Sequence, residues 1–105
     1  MRRVYLDHIA ATPVDSRVVE AMLPYLREKY GNPQSLHSTG QEALTAMEEA
    51  RSRVARLIGA EENEIFFTSC GSEANNLAIK GLALARRDKG RHVVLSAVEH
   101  QSVLQ

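Results

Sequence analysis

The sequence predicts an α/β protein, chiefly because of the order of its elements after residue 64. Residues 65–68 form a short run of apolar, aromatic and β-branched side chains, which is typical of a buried strand. A helical pattern follows from about residue 72 to residue 88, and residues 92–96 indicate a second strand. Strand, helix and strand in this order favour a layer of helices packed on a sheet. Two helical patterns within residues 15–60 precede this unit.

The first part of the chain predicts an extended segment and then a helix. Residues 4–14 show no helical period. Asp15 is a suitable N-cap for a helix from about 16 to 29, and Pro24 inside it is expected to kink or divide it. The expected apolar face of this helix comprises Val18, Val19, Met22 and Leu26. The Gly-Asn-Pro sequence at 31–33 ends the element.

Two further helices are predicted, each with its own end signals. Ser38 and Gln41, three residues apart, match a capping box at the start of a helix that runs to about Ile58, with Gly59 as its C-terminal cap. The apolar stripe of this helix comprises Leu44, Met47, Val54, Leu57 and Ile58. The helix from about 72 to 88 carries Leu77, Ile79, Leu82 and Leu84 on its apolar positions and ends at Gly90.

Composition excludes several classes of function. The 105 residues include 13 Lys plus Arg and 13 Asp plus Glu, so no basic excess favours a nucleic acid or an anionic membrane as partner. The apolar runs are too short to span a bilayer, and Asp7 lies where a signal peptide would have its apolar core. A single cysteine, Cys70, excludes an internal disulfide framework and fits a reducing cytoplasm.

The strongest local signal for chemistry lies at residues 67–76, where a predicted strand ends, small residues form a turn and a helix begins. The free backbone N–H groups at such a helix start, with the positive end of the helix dipole, attract anions. Gly71 permits close approach of a phosphate to the backbone, and Ser72 adds a hydroxyl donor. The alternative is an ordinary serine cap at a strand-to-helix turn. The pattern is neither a Walker loop nor a complete dinucleotide fingerprint.

His100 is the second candidate, because it follows the predicted strand that ends near Ser96. Ligand-binding groups of α/β proteins gather at the carboxyl ends of strands, so His100 and the turn at 70–72 could face one ligand. The imidazole can stack on a planar cofactor or transfer a proton near neutral pH. The alternative for His100 is a solvent-facing loop residue.

The remaining polar residues give weaker signals. The other histidines lack the spacing to Cys, Asp or Glu that predicts a metal site, and they are His8, His37 and His92. Cys70 has no histidine or lysine near it in sequence, so we interpret it as a small turn residue with some acidity from the helix N-terminus. Asn75 and Asn76 are expected to bond to nearby backbone rather than to a ligand.

Four motifs, in this order along the chain, resemble the bacterial cysteine desulfurases of the nitrogen-fixation and iron–sulfur-cluster type, within the class V aminotransferase family. Residues 5–15 are similar to the opening of that family, and residues 31–37 to its Gly-Asn-Pro-x-Ser-x-His loop. Residues 67–76 resemble its phosphate turn, with Ser72 retaining the hydroxyl of the usual threonine. Residues 99–103 resemble its Glu-His-x-x-Val segment.

The resemblance implies an α/β fold of the fold-type I, pyridoxal-phosphate-dependent class. Residues 1–14 would be an extended N-terminal segment, 15–60 the N-terminal helices and 61–105 the incomplete start of the large cofactor domain. Pyridoxal 5'-phosphate would be the cofactor, with Gly71 and Ser72 on its phosphate. His100 would stack on the pyridine ring and assist proton transfer.

The implied reaction converts L-cysteine to L-alanine and an enzyme persulfide, which passes sulfur to iron–sulfur clusters or other acceptors. A cytoplasmic homodimer and a sulfur-acceptor scaffold protein are the implied assembly and partner. The family's cofactor-binding lysine, its aspartate facing the pyridine nitrogen and its persulfide cysteine follow the His100 motif and have no match here. The chain also stops within a helical pattern at Gln105, so we expect a truncated, cleaved or split polypeptide that is inactive alone.

Two alternatives remain open on the sequence. One is a selenocysteine lyase or another class V enzyme, since substrate-selecting residues are expected downstream of this chain. The other is a noncatalytic fragment or interaction module. Finding the family's cysteine loop downstream would discriminate against the first alternative. A neighbouring chain that carries the family's lysine would argue against the second.

Overall fold

The computed structural model describes residues 3–104, and the chain divides into two compact units at Glu62 and Asn63. The helices are α1 (Ser16–Arg27), α2 (Ser38–Ile58), α3 (Gly71–Ala85) and α4 (Gln101–Leu104), with a short 3₁₀ turn at Glu62–Glu64. None of the helices among residues 3–104 is long and apolar enough to cross a membrane.

Helix α1 begins as its cap predicts. The Asp15 carboxylate accepts a hydrogen bond from the Arg17 backbone N–H at 2.9 Å, which satisfies one of the free donors of the first turn. The Arg17 guanidinium lies 2.7 Å from the same carboxylate. Hydrogen bonds from the side chain and then the backbone of Arg17 lower the pKa of Asp15. The N-terminal boundary of α1 is therefore confirmed.

Pro24 does not divide α1, contrary to one predicted outcome. The helix continues across it and ends at Arg27, two residues before the expected end at 29. The N–H groups of Glu28 and Lys29 both donate to the Pro24 carbonyl, at 2.9 and 2.8 Å. Pro24 lacks a donor but keeps its carbonyl, so it takes part in closing the last turn.

Helix α2 has the predicted bounds but a different N-cap. His37, and not Ser38, is the capping residue, and its Nδ1 accepts from the Gly40 N–H at 3.3 Å. Gln41 donates from Nε2 to the Ser35 carbonyl at 3.2 Å instead of completing a capping box. The box is wrong because Ser38 is already inside the helix. Gly59 is confirmed as the C-cap, with a φ of 69° that favours glycine.

Two glycines allow the loop before α2 to fold tightly against the start of that helix. A Cβ atom at Gly31 would overlap the Thr39 carbonyl, and one at Gly40 would overlap the Ser35 carbonyl. Gly40 is also buried. Main-chain atoms cannot rotate away as a side chain can, so both positions exclude larger residues for steric reasons.

We expect Gly40→Ala to destabilise the complete protein by about 1–3 kcal/mol, the usual effect of forcing extra volume into a packed site. Gly81→Ala is the matched control, because nothing lies within 4 Å of its Cβ position. Alanine has the higher helix propensity, so the control is expected to retain or raise the melting temperature. Thermal unfolding of both variants measures the difference, and equal losses would contradict the steric explanation.

The predicted strands at 65–68 and 92–96 are wrong as strands in this structure. No β-ladder is present among residues 3–104, and both segments have irregular backbone. The apolar pattern of both segments is typical of strands. A strand also needs a neighbouring strand that accepts and donates its backbone hydrogen bonds. Helix α3 ends at Ala85, earlier than predicted, and residues 86–89 form turns. The domain boundaries at 14 and 60 stay a prediction.

Candidate functional site

The N-terminus of α3 presents unused backbone donors. Cys70 is the N-cap in extended conformation, and its carbonyl accepts the first helical bond from Ala74 at 3.1 Å. The N–H groups of Gly71, Ser72 and Glu73 therefore have no helical acceptors. Their dipoles add to the positive end of the α3 macrodipole, which spans 15 residues. This end of the helix is suited to an anion.

Gly71 provides the space that such an anion needs. Nothing lies within 4 Å of its Cβ position, whereas at Gly40 the Ser35 carbonyl fills that space. Ser72 is exposed and follows directly, so its hydroxyl can donate to the same anion. The turn therefore fits a phosphate group by its free N–H donors, its open side and the positive end of the helix dipole.

Glu73 stabilises the turn in a way the sequence analysis missed. Its carboxylate accepts from both the backbone N–H and the hydroxyl of Ser69, each at 2.7 Å. These bonds, from the hydroxyl first and the backbone second, lower the pKa of Glu73 and favour its ionised form. An acidic residue in the first turn of a helix was the available signal.

Cys70 is an exposed free thiol. The backbone N–H of Glu73, the Ser69 hydroxyl and the backbone N–H of Ser72 lower its pKa, in that order. The Ser69 Oγ lies 3.8 Å from the sulfur. The backbone N–H groups favour the thiolate electrostatically without forming a capping hydrogen bond to it.

His100 immediately precedes α4 and is tied to Ser102. The His100 Nδ1 lies 2.8 Å from the Ser102 Oγ and 3.2 Å from the Ser102 backbone nitrogen, which donates to it. The His100 carbonyl accepts from the Val103 N–H at 2.8 Å. The Nδ1 edge of the ring is bonded to Ser102. Because His100 is exposed, the Nε2 edge remains accessible.

Asn75 connects helix α3 with the segment that contains His100. It lies on α3, one turn after the phosphate-binding candidates, and its Nδ2 donates to the Ser102 Oγ at 2.9 Å. The structure thus connects α3 with His100 through one intermediate side chain. Asn76 behaves as the sequence analysis expects, since its Nδ2 donates to the Ser72 carbonyl at 2.8 Å. The long-range role of Asn75 was missed.

His8 and His37 make local contacts within the first unit. His8 lies edge-on to Tyr5, with ring centroids 5.1 Å apart, and His37 caps α2. Over residues 3–104, no group of three or more His, Cys, Asp or Glu side chains is arranged to hold a metal ion.

A family model described as "Aminotransferase class-V" matches residues 4–105. The chain is 55% identical over 104 residues to "Cysteine desulfurase IscS" of Dictyoglomus turgidum, covering 99% of this chain and 26% of that protein. The protein of the same name from Rickettsia felis is 57% identical over 102 residues, covering 96% of this chain and 25% of that one. The chain therefore spans about a quarter of the length of these relatives.

A solved structure described as "NIFS-LIKE PROTEIN" has a similar fold. The TM-score is 0.90 at 46% sequence identity, and the match covers 98% of this chain and 28% of that one. The family match and this structural match agree with the α/β fold class inferred from the resemblance, although the chain itself forms helices without a sheet over residues 3–104.

Proposed function

The chain belongs to the class-V aminotransferase family, and we propose that it forms part of a pyridoxal-phosphate-dependent cysteine desulfurase. Such an enzyme removes sulfur from L-cysteine, gives L-alanine and holds the sulfur as a persulfide for transfer. The observation that carries this proposal is the 55% identity over 104 residues to "Cysteine desulfurase IscS" of Dictyoglomus turgidum. The alignment covers 99% of this chain and therefore includes the turn at 70–72 and the His100 segment.

In this proposal, Gly71 and Ser72 bind the cofactor phosphate. The free N–H groups at the start of α3 and the open side of Gly71 support that role. When bound, pyridoxal phosphate supplies an electron sink that stabilises negative charge on the substrate carbon. His100 stacks on the cofactor ring and holds or moves a proton at its exposed edge.

The lysine that binds the cofactor and the cysteine that accepts sulfur come from polypeptide other than residues 1–105. Lys29 lies 3.0 Å from Glu42, whose hydrogen bond and charge raise the lysine pKa and favour its protonated, non-nucleophilic form. Cys70 caps α3. These positions support the proposal that this chain contributes the phosphate turn and His100, and that a complete protomer contributes the rest.

The proposed assembly is a cytoplasmic homodimer that passes sulfur to an acceptor scaffold protein for iron–sulfur clusters. The single free thiol of this chain is compatible with a reducing compartment. Size measurement of the complete enzyme in solution, and sulfur transfer from it to candidate acceptors, test the two parts of this proposal.

The proposed reaction is tested with the complete enzyme, pyridoxal phosphate and L-cysteine. We expect alanine and, in the presence of a thiol reductant, sulfide to form in equal amounts. Turnover of L-selenocysteine without turnover of L-cysteine would show a selenocysteine lyase instead. Formation of neither product would reject the proposed reaction.

We expect Ser72→Ala to weaken cofactor binding by about 1–2 kcal/mol, or roughly 5- to 30-fold, because one hydrogen bond to a charged phosphate is lost. Equilibrium titration of the apoenzyme, followed by the visible absorption of the bound cofactor, measures the change. Thr45→Val is the control, since the Thr45 hydroxyl donates only to the Gln41 carbonyl within α2. Wild-type affinity in Ser72→Ala would remove Ser72 from the site.

Gly71→Val is expected to weaken cofactor binding more than Ser72→Ala in the same titration. The open space around Gly71 admits the valine side chain sterically, but that side chain then occupies the approach to the free N–H groups. Melting temperatures should therefore stay close to wild type while affinity falls. Unchanged affinity in Gly71→Val would place the phosphate elsewhere.

A further inference from the structure

We infer that Ser102 and Asn75 are positioning residues that hold His100 in the tautomer with its proton on Nε2. This inference rests on the proposed function, in which His100 moves a proton beside the cofactor. It assigns a role to two side chains that form neither the phosphate turn nor the histidine itself.

The backbone N–H group of Ser102 identifies the tautomer that His100 adopts. Its N–H group donates to the His100 Nδ1 across 3.2 Å, and a peptide N–H group has no lone pair with which to accept. Nδ1 must therefore be the unprotonated nitrogen of the neutral ring. The single proton of the neutral imidazole then lies on Nε2, at the opposite edge.

The Ser102 hydroxyl reinforces the same arrangement. It lies 2.8 Å from Nδ1, and because Nδ1 carries no proton, the hydroxyl is the donor. Asn75 then donates from Nδ2 to the Ser102 oxygen at 2.9 Å, which leaves the hydroxyl proton directed at the imidazole. If Asn75 presented its Oδ1 instead, it would compete with Nδ1 for that proton.

Burial protects one bond of this network. Asn75 and Ser102 are partly buried, while His100 is exposed. Water therefore competes less for the bond between Asn75 and Ser102 than for the two bonds at the His100 Nδ1, which are exposed. His100 presents a donor at Nε2, while Ser102 bonds to its Nδ1 and Asn75 bonds to Ser102.

The network also links the histidine to the phosphate turn. Asn75 lies three residues after Ser72 on α3, so the helix whose start is proposed to bind the cofactor phosphate also orients the His100 side chain through Ser102. A shift of α3 would move both groups together.

The test uses the complete enzyme with ¹⁵N-labelled histidine, without cofactor or substrate. Long-range ¹H–¹⁵N correlation spectra distinguish protonated from unprotonated ring nitrogens. For wild type we expect His100 in one tautomer, with Nδ1 unprotonated and Nε2 protonated. A His100 with a protonated Nδ1 in the neutral wild-type ring would overturn the inference without any variant.

Two substitutions and one rescue extend the test. Ser102→Ala is expected to raise the population of the Nδ1–H tautomer about fivefold, the equivalent of one net hydrogen bond, and to lower kcat more than it raises KM. Asn75→Ala should shift the tautomer in the same direction. Ser102→Thr keeps the hydroxyl and should restore both the wild-type spectrum and kcat.

Asn76→Ala is the matched control for the nitrogen spectra, because it deletes the same side chain from the next position and removes only a bond to the Ser72 carbonyl. His100 nitrogen signals that stay unchanged in both Ser102→Ala and Asn75→Ala would overturn the inference. That result together with wild-type cysteine turnover would leave the proposed function intact. The opposite combination is also distinguishable. If these variants lose the wild-type tautomer but the wild-type enzyme does not release sulfide from cysteine, the positioning role is retained and the proposed reaction is rejected.

Discussion

A polypeptide of residues 1–105 expressed alone is expected to be poorly folded or to aggregate, and to release no sulfide from L-cysteine. Over residues 3–104, Ala55 and Ile65 are the buried hydrophobic residues, at 1% and 8% exposure. Large apolar side chains remain uncovered, with Leu36 93% and Val98 91% exposed. Hydrophobic burial is the main term favouring folding, and here most of it is missing.

The apolar surface of the second unit leads to the same expectation. An open groove between α3 and residues 89–95 is lined largely by apolar side chains, among them Ile79 and Val93. Additional polypeptide that covers such surfaces is therefore expected to be needed for stability.

The experiment compares residues 1–105, the complete enzyme, and residues 1–105 mixed or co-expressed with the complementary polypeptide. Thermal unfolding reports cooperativity, visible absorption reports the lysine-bound cofactor, and sulfide release reports turnover. We expect all three signals from the complete and reconstituted forms only. A cooperatively folded and active 1–105 polypeptide would contradict its assignment to a larger enzyme.

His100→Ala is expected to lower turnover of L-cysteine by the complete enzyme about 100-fold or more, the usual contribution of a general acid–base group. The exposed imidazole makes no contact here that would predict a comparable loss of fold stability. Its bonds to Ser102 lie at the first turn of the short helix α4, and they affect local geometry.

Steady-state kinetics and thermal unfolding of the same preparations separate these effects. His92→Ala is the control, because it removes a histidine from the irregular segment before the His100 motif. The control should keep wild-type kcat. Near-normal turnover in His100→Ala would return His100 to the role of a solvent-facing loop residue.

Local features of the chain were predictable where neighbouring residues decide them. The Asp15 cap, the bounds of α2 and the Gly59 cap depend on atoms a few residues apart, and the structure confirms them. The family could also be predicted from the sequence, because its motifs are short stretches that occur in a fixed order along the chain. The roles of Gly71, Ser72 and His100 stay predictions, although the start of α3 has the donors and space that a phosphate needs.

The sequence by itself thus determined the helices, the caps at Asp15 and Gly59, and the family. Only the tertiary structure decided that residues 65–68 and 92–96 remain irregular here, because a strand exists through hydrogen bonds to a partner that an apolar pattern cannot supply. It also decided that Asn75 bonds to Ser102, 27 residues away, and so reaches His100. No periodicity encodes that pair, since its geometry arises only when α3 and α4 pack together.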